Sequence, residues 1–151
     1  MRTSVFSLLG LMALTAALTF GAPPDKHDHH AKAFEDCAKA CGECALACDS
    51  CAHHCANMLA QGKKEHHKTL RTCQDCATHC GAAACITGRH GVYSDLICKA
   101  CAEACKRCGD ACDQFKDDAH MKKCADECRK CEKACREMLK HTEGTAGSSG
   151  K

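Results

Sequence analysis

The stretch from Cys37 to Cys55 reads C-AKA-C-GE-C-ALA-C-DS-C-AHH-C, and its six cysteines follow one another at alternating intervals of four and three residues. This is the spacing of the inward-facing positions of a helix packed against other helices, where Leu or Ile is usual. At about 1.5 Å of rise per residue, the thiols form a column roughly 27 Å long. The stretch therefore predicts an amphipathic helix whose buried stripe consists of thiols.

The same spacing recurs in three further segments. We predict helices over about 31–59, 65–84, 95–115 and 119–141, with Ser94 as the N-cap of the third helix and Asp118 as that of the fourth. Bulky apolar residues are too few for an ordinary core, so Cys and Ala must fill it. Cys85 follows Cys80 by five residues and falls off the inward stripe. Four such helices joined by short loops predict an all-α protein, an antiparallel up-down four-helix bundle with a Cys-lined core.

The predicted domain organisation has four parts. Residues 1–22 combine Arg2 with an apolar run and then small residues, which is typical of a secretory signal peptide and predicts a periplasmic or secreted protein. Residues 23–30 form a flexible, His-rich leader, residues 31–141 form the bundle, and residues 142–151 form a disordered tail. A formal net charge of +2, with no basic block, argues against a nucleic-acid partner, and no membrane partner is expected after signal cleavage.

Three kinds of chemistry compete for the thiols. A disulfide scaffold is common in exported Cys-rich chains, but mid-helix thiols are poorly placed to pair and the chain has 19 cysteines, an odd number. Zinc or iron–sulfur sites gather four ligands at discrete places, unlike a continuous column. Cu(I) is selected by soft sulfur ligands and accepts two or three of them. Eight C-x-x-x-C pairs on the four helices offer capacity for many ions, and no catalytic constellation can be assigned, so we expect a store and not an enzyme.

These repeated C-x-x-x-C and C-x-x-C steps over residues 31–141 resemble the bacterial copper storage proteins, which are Cys-lined four-helix bundles. The resemblance implies copper homeostasis and detoxification by multiple Cu(I) ions bound inside the bundle, copper-delivering or copper-accepting protein partners, and a homo-oligomer, commonly a tetramer. The predicted metal ligands are all the cysteines together with one histidine and two methionines: Cys37, Cys41, Cys44, Cys48, Cys51, Cys55, Cys73, Cys76, Cys80, Cys85, Cys98, Cys101, Cys105, Cys108, Cys112, Cys124, Cys128, Cys131, Cys135, His66, Met58 and Met121.

The two ends of the bundle are expected to differ. At the end formed by the 1–2 and 3–4 loops, Met58, His66 and Met121 continue the inward stripes and predict an entry port for copper, a feature that the resembling family also has. His53 and His54 are expected on the surface. The opposite end gathers apolar residues that we expect to seal it: Phe34, Ile86, Val92, Tyr93, Leu96, Ile97, Met138 and Leu139.

Overall fold

The computed structural model describes residues 26–142, with side chains from residue 29 onwards. Over this range the chain forms four α-helices: α1 (Lys26–Ala60), α2 (His66–Gly88), α3 (Ser94–Cys112) and α4 (Ala119–Thr142). The predicted signal peptide (1–22), the start of the leader (23–25) and the tail from residue 143 lie outside the described residues. None of these four helices is long and apolar enough to cross a lipid bilayer.

The helices form a closed ring in which each packs against its neighbours in sequence and α4 packs back on α1. Facing thiols show the directions of the helices. Residue numbers rise on α1 while they fall on α4, as in the contacts Cys37–Cys135 and Cys48–Cys128. On the diagonal pair α1 and α3 they rise together, beginning with Cys37–Cys98. This is the predicted antiparallel up-down bundle.

The core consists almost entirely of thiols and small side chains. The buried apolar residues of the described range are cysteines, alanines and the two methionines Met121 and Met138. Cysteine behaves as a small hydrophobe, and alanine lets helix axes approach closely without weakening the helix. The predicted core of Cys and Ala is confirmed.

Two helices are longer than predicted. Helix α1 begins at Lys26 and not at 31, so residues 26–30 of the expected flexible leader are helical. The sequence has no proline after Pro24, so none interrupts the helix from Lys26 onwards. Helix α2 runs to Gly88, because its end is a Schellman turn: His90 takes the left-handed conformation (φ 52°), and Gly91 N donates to Ile86 O at 2.8 Å. Helix α2 thus extends four residues beyond the predicted end at 84, and the turn follows it at residues 89–91.

One predicted N-cap is wrong and the other is confirmed. Ser94 is the first residue of α3, and its hydroxyl donates back to Gly91 O at 2.6 Å instead of accepting from the helix. Asp118 caps α4 as predicted, since its Oδ1 accepts from the backbone N–H groups of His120 (2.9 Å) and Met121 (3.2 Å). Helix α3 ends at Cys112, three residues before the predicted 115, and turns lead from there to Asp118.

We call the end at which α1 begins and α4 ends the closed end, and the end at the α1–α2 and α3–α4 loops the open end. At the closed end Met138 is fully buried, while Phe34, Ile97 and Leu139 pack against the core. The expected contribution of Val92, Tyr93 and Leu96 is wrong, because their side chains are exposed. They lie in and just after the α2–α3 turn, where the chain has already left the bundle interior.

Candidate metal centre

Eighteen of the nineteen cysteines are buried, and all nineteen are free thiols. Every buried cysteine is at most 2% exposed, so the thiols face one another and not solvent. Cys85 is the exception and is exposed on α2. The structure thus brings together every predicted cysteine ligand except Cys85, whose place off the stripe of α2 keeps it outside the core.

Contacts between sulfur atoms are as close across helices as along them. Within one helix, the i and i+4 sulfurs of Cys37–Cys41 and Cys44–Cys48 are 3.9 Å apart. Between helices, Cys41 Sγ lies 3.5 Å from both Cys131 Sγ and Cys135 Sγ. The C-x-x-x-C pair of a single helix is therefore not the unit of the site, since a thiol such as Cys41 has neighbours on three helices.

The thiols form overlapping groups of four whose sulfur atoms all lie within 4.8 Å of one another. Neighbouring groups share members, and Cys44, Cys48, Cys76, Cys124 and Cys128 each belong to two of them. Five of these groups are Cys41–Cys101–Cys131–Cys135, Cys44–Cys76–Cys80–Cys105, Cys44–Cys48–Cys76–Cys128, Cys48–Cys108–Cys124–Cys128 and Cys51–Cys73–Cys112–Cys124. Shared thiols join the last four of these groups, and the contact between Cys101 Sγ and Cys80 Sγ at 3.6 Å joins the first group to them. The groups therefore form one continuous ligand column along the bundle axis.

The separations match a metal held by several sulfurs. With metal–sulfur bonds near 2.3 Å, two sulfurs on a trigonal ion are about 4.0 Å apart, whereas two on a linear ion are about 4.6 Å apart. The closest Sγ–Sγ contacts are 3.5 Å, as in Cys80–Cys105, others such as Cys51–Cys112 are 4.0 Å, and the sulfurs of one group lie within 4.8 Å of one another. An ion with three thiolates, each shared with a neighbouring ion, fits the column with little movement of the helices.

Contacts between thiols also influence the protonation state of the column. Contacts with neighbouring thiols, together with burial, raise the pKa of Cys48, Cys105 and Cys131 above the ordinary value of 9.0. The leading neighbour is Cys108 for Cys48, and Cys101 for the other two thiols. These thiols keep their protons at neutral pH, so each metal ion that binds them must release protons.

At the open end, one sulfur of another kind completes the column. Met121 is fully buried, and its Sδ accepts from the Cys51 thiol at 3.4 Å and from the Cys55 thiol at 3.8 Å. His66 is 4% exposed and stacks on Phe115 with ring centroids 4.2 Å apart. Its Nδ1 is buried without a hydrogen-bond partner, which is costly unless a ligand occupies it. Thioether and imidazole nitrogen are both copper ligands.

Polar side chains from α1 and from the start of α4 border this end. His54 donates from Nε2 to Asp118 Oδ2 at 2.7 Å, and its ring stacks on His120 at 4.7 Å. The ring of His54 also stands edge-on to that of His66, with centroids 6.2 Å apart. Burial alone would raise the pKa of Asp118, but hydrogen bonds from His54 and from the backbone of Met121 and His120 lower it. The carboxylate is ionised at neutral pH.

The remaining open-end predictions have mixed outcomes. His53 is exposed as expected, whereas His54 is half-buried, so its expected surface position is wrong. The signal available in the sequence was that His54 follows Cys51 by three residues and so borders the inward stripe. Met58 is half-buried, but its Sδ accepts from Lys63 Nζ at 3.4 Å, and no thiol contact of its sulfur occurs among the described residues. The turn after α1 folds Lys63 over the thioether, so Met58 is not brought to the column.

Comparisons with known proteins agree with this geometry. A family model described as Csp, copper storage protein, matches residues 29–140. A solved structure of a copper storage protein from Streptomyces lividans carrying five coppers is similar, with 35% sequence identity and a TM-score of 0.69, and the match covers 75% of this chain and 97% of that chain. A second structure, of Ccsp from the same organism loaded with 10 copper equivalents, has 34% identity and a TM-score of 0.68 over 82% of this chain and 94% of that one. No curated protein matches this chain.

The comparisons confirm two predictions and correct one. The fold and the predicted storage of multiple copper ions are confirmed. The expected periplasmic or secreted location is contradicted, because the Streptomyces lividans protein carrying five coppers is a cytosolic copper storage protein. The match spans most of the chain and includes every cysteine on the four helices. The chain therefore belongs to the copper storage protein family.

Proposed function

We propose that the eighteen buried thiols are the ligands with which this protein stores Cu(I), as one continuous column and not as separate sites. The sharing of thiols between neighbouring groups of four supports this most strongly. A thiolate that bridges two ions lets each ion have two or three sulfurs while the number of ions approaches the number of thiols. Soft sulfur ligands in a site closed to water also favour Cu(I) over Zn²⁺, which prefers discrete tetrahedral sites.

Spectroscopy of the loaded protein tests this arrangement. X-ray absorption at the copper edge should show sulfur neighbours at about 2.3 Å and, from the first few ions onwards, a copper–copper distance that only bridging thiolates produce. We expect no nitrogen or oxygen neighbours of copper once the column is filled. Copper that is bound mainly by nitrogen or oxygen at full loading, or that shows no copper neighbour at any loading, would contradict a shared-thiolate column.

We further propose that copper enters at the open end through His66 and Met121. The unpartnered Nδ1 of His66 and the thioether of Met121 are soft or borderline ligands at the mouth of the column. Met58, whose sulfur contacts Lys63, is left out of this port. At the closed end the thioether of Met138 is also buried, but the side chains that pack against the core there, Phe34, Ile97 and Leu139, are apolar.

A matched pair of methionine variants tests the port. Met121→Leu and Met138→Leu each replace a fully buried thioether with a side chain of similar volume, at opposite ends of the bundle. Met121→Leu, alone or with His66→Phe, should slow Cu(I) loading in stopped-flow experiments by about tenfold, while Met138→Leu should load at the normal rate. Equal rates for the two methionine variants would refute entry at the open end.

The predicted homo-oligomer and the copper-delivering or copper-accepting proteins remain predictions. The storage role needs no catalytic group, and we propose that the protein is not an enzyme.

A further inference from the structure

The ligands at the open end change in chemical character with depth. Outermost lie the Asp118 carboxylate and the imidazoles of His54 and His120, which are half-buried. Beneath them are the buried imidazole of His66 and the thioether of Met121, and beneath these only thiols. Oxygen and imidazole nitrogen suit Cu(II), whereas thioether and thiolate suit Cu(I). Hard and borderline ligands thus face solvent, and soft ligands face the interior.

The outer groups can present nitrogen and oxygen together. His54 uses Nε2 to donate to Asp118, which places the lone pair of its neutral ring on Nδ1. His120 Nε2 is 3.3 Å from Ser50 Oγ, and when Nε2 carries the proton the lone pair of the neutral ring is on Nδ1 as well. The two rings are stacked, and a rotation of His120 on the first turn of α4 is needed to aim both Nδ1 atoms at one ion. The ionised Asp118 carboxylate supplies the charge that attracts a dication.

We propose that this group, His54, His120 and Asp118, captures Cu(II), and that the thiols below reduce it to the Cu(I) that the column stores. The inference rests on the proposed storage of Cu(I) by the buried thiols and adds a second substrate, the cupric ion. Two cupric ions each accept one electron, and two thiols lose two protons and two electrons to form one disulfide. The products are two cuprous ions, two protons and one S–S bond, so the reaction consumes thiols and does not turn over.

The first thiols available for this reaction lie in the layer beneath Met121. Cys73 Sγ is 3.6 Å from Cys108 Sγ and 3.9 Å from Cys112 Sγ, across the antiparallel pair α2 and α3. A disulfide needs side chains that face each other from two segments, which these positions provide and i,i+4 pairs on one helix do not. We therefore place the first disulfide between Cys73 and Cys108 or Cys112. The remaining thiols bind the cuprous ions produced, which draws the reduction forward.

The reaction can be followed in the reduced full-length protein under anaerobic conditions, with Cu(II) sulfate as the only addition. A Cys85→Ser background removes the exposed thiol, which could otherwise react between molecules. The cupric EPR signal should disappear, and one thiol should be lost for each Cu(II) added. Six equivalents should therefore leave about twelve of the eighteen buried thiols titratable after denaturation in a copper chelator. Peptide mapping at the first equivalents should find Cys73 in the disulfide.

Variants test whether the outer group captures the ion. His54→Gln with His120→Gln should slow the loss of the Cu(II) signal by about tenfold or more relative to Cu(I) uptake by the same variant. His79→Gln, a half-buried histidine on the outside of α2, is the control and should leave this ratio unchanged. Freeze-quenched samples of the unsubstituted chain should show nitrogen hyperfine splitting on the Cu(II) signal, a measurement that does not depend on the variant's folding.

Three results would overturn the proposal: a persistent Cu(II) signal with all thiols retained, an unchanged ratio in the double variant, or an early disulfide that excludes Cys73. Titration of the reduced protein with Cu(I) is a separate measurement. Normal Cu(I) storage without Cu(II) reduction would reject this inference alone, whereas failure to store Cu(I) would reject the proposed function.

Discussion

Removing the thiols of one shared group, one at a time, should lower the Cu(I) capacity of the protein by one ion per thiol. The group Cys44–Cys76–Cys80–Cys105 is suited to this series, because it lies inside the column and its sulfurs are all within 4.8 Å of one another. The series starts with Cys44→Ala, and Cys105→Ala, Cys76→Ala and Cys80→Ala are then added to it one after another. Cys85→Ala is the matched control, since Cys85 is the exposed cysteine.

The expected magnitudes follow from the ligand count. If each Cu(I) is held by thiolates that are shared between ions, the eighteen buried thiols take up on the order of 18 ions, and each substitution lowers this by about one. Discrete four-thiolate sites would instead hold about four ions. In that case Cys44→Ala would remove one ion and the next three substitutions in the same group would remove no more. Each alanine leaves a small cavity that costs about 1 kcal/mol of stability, so helicity must be checked at every step.

The assay is an anaerobic titration of the reduced protein with Cu(I) against a competing chelator, read at the break point. A capacity that falls linearly, with a slope near one ion per thiol and no change for Cys85→Ala, supports the shared column. A single step followed by a plateau would refute the reasoning, and so would a break at or below about five ions for the unsubstituted chain. A loss of one ion in Cys85→Ala would show that the exposed thiol belongs to the store.

Three further predictions concern the scaffold. A Cβ on Gly109 would lie 2.8 Å from Cζ of Arg129, so Gly109→Ala must move this guanidinium away from Asp110, to which it donates. We expect Gly109→Ala to be about 0.5 kcal/mol less stable in urea unfolding than Gly42→Ala, where nothing lies within 4 Å, and equal stabilities would contradict this contact. Asp118→Ala removes the cap of α4 and should lower the free energy of unfolding by about 1 kcal/mol. Asp118→Asn can still cap the helix and should retain most of this stability. An equal loss in both variants would argue that the ion pair with His54, and not the cap, is the stabilising contact. Most of the buried thiols have a raised pKa in the folded apo-protein and so keep protons that the unfolded chain releases above pH 9.0. The stability of the apo-protein should therefore fall as pH rises beyond that value, while the copper-loaded protein should not show this fall. Denaturation midpoints across pH 8–11 test it, and a stability that increases over this range would be the wrong sign.

The spacing of the cysteines was sufficient to predict the four helices, the antiparallel bundle and a core of thiols. A stripe at intervals of three and four residues is a local property, because it depends only on the pitch of the helix. For the same reason the sequence singled out Cys85 as the cysteine off the stripe. Asp118 could be predicted as a cap, because capping also acts within one turn.

Helix ends were harder to predict, because they depend on backbone geometry that several residues share. Ser94 has the side chain of an N-cap, yet the Schellman turn that ends α2 brings Gly91 O within reach of its hydroxyl, and the helix starts one residue earlier. Val92, Tyr93 and Leu96 have the composition of a seal, but the same turn leaves them outside the bundle. Their apolar composition alone did not show whether these side chains point into the bundle or into solvent.

The ligand groups themselves were decided by the tertiary structure. The sequence indicated pairs along each helix, whereas the structure shows groups drawn from three or four helices with sulfurs as close as 3.5 Å. These contacts depend on the axial register of the helices, which the packing of alanines and thiols sets and which no single helix contains. Likewise, His54 meets Asp118 and His66 only because α1, α2 and α4 converge at the open end. The sequence therefore determined what kind of ligand lines the bundle, and the packing of the helices determined which ligands act together.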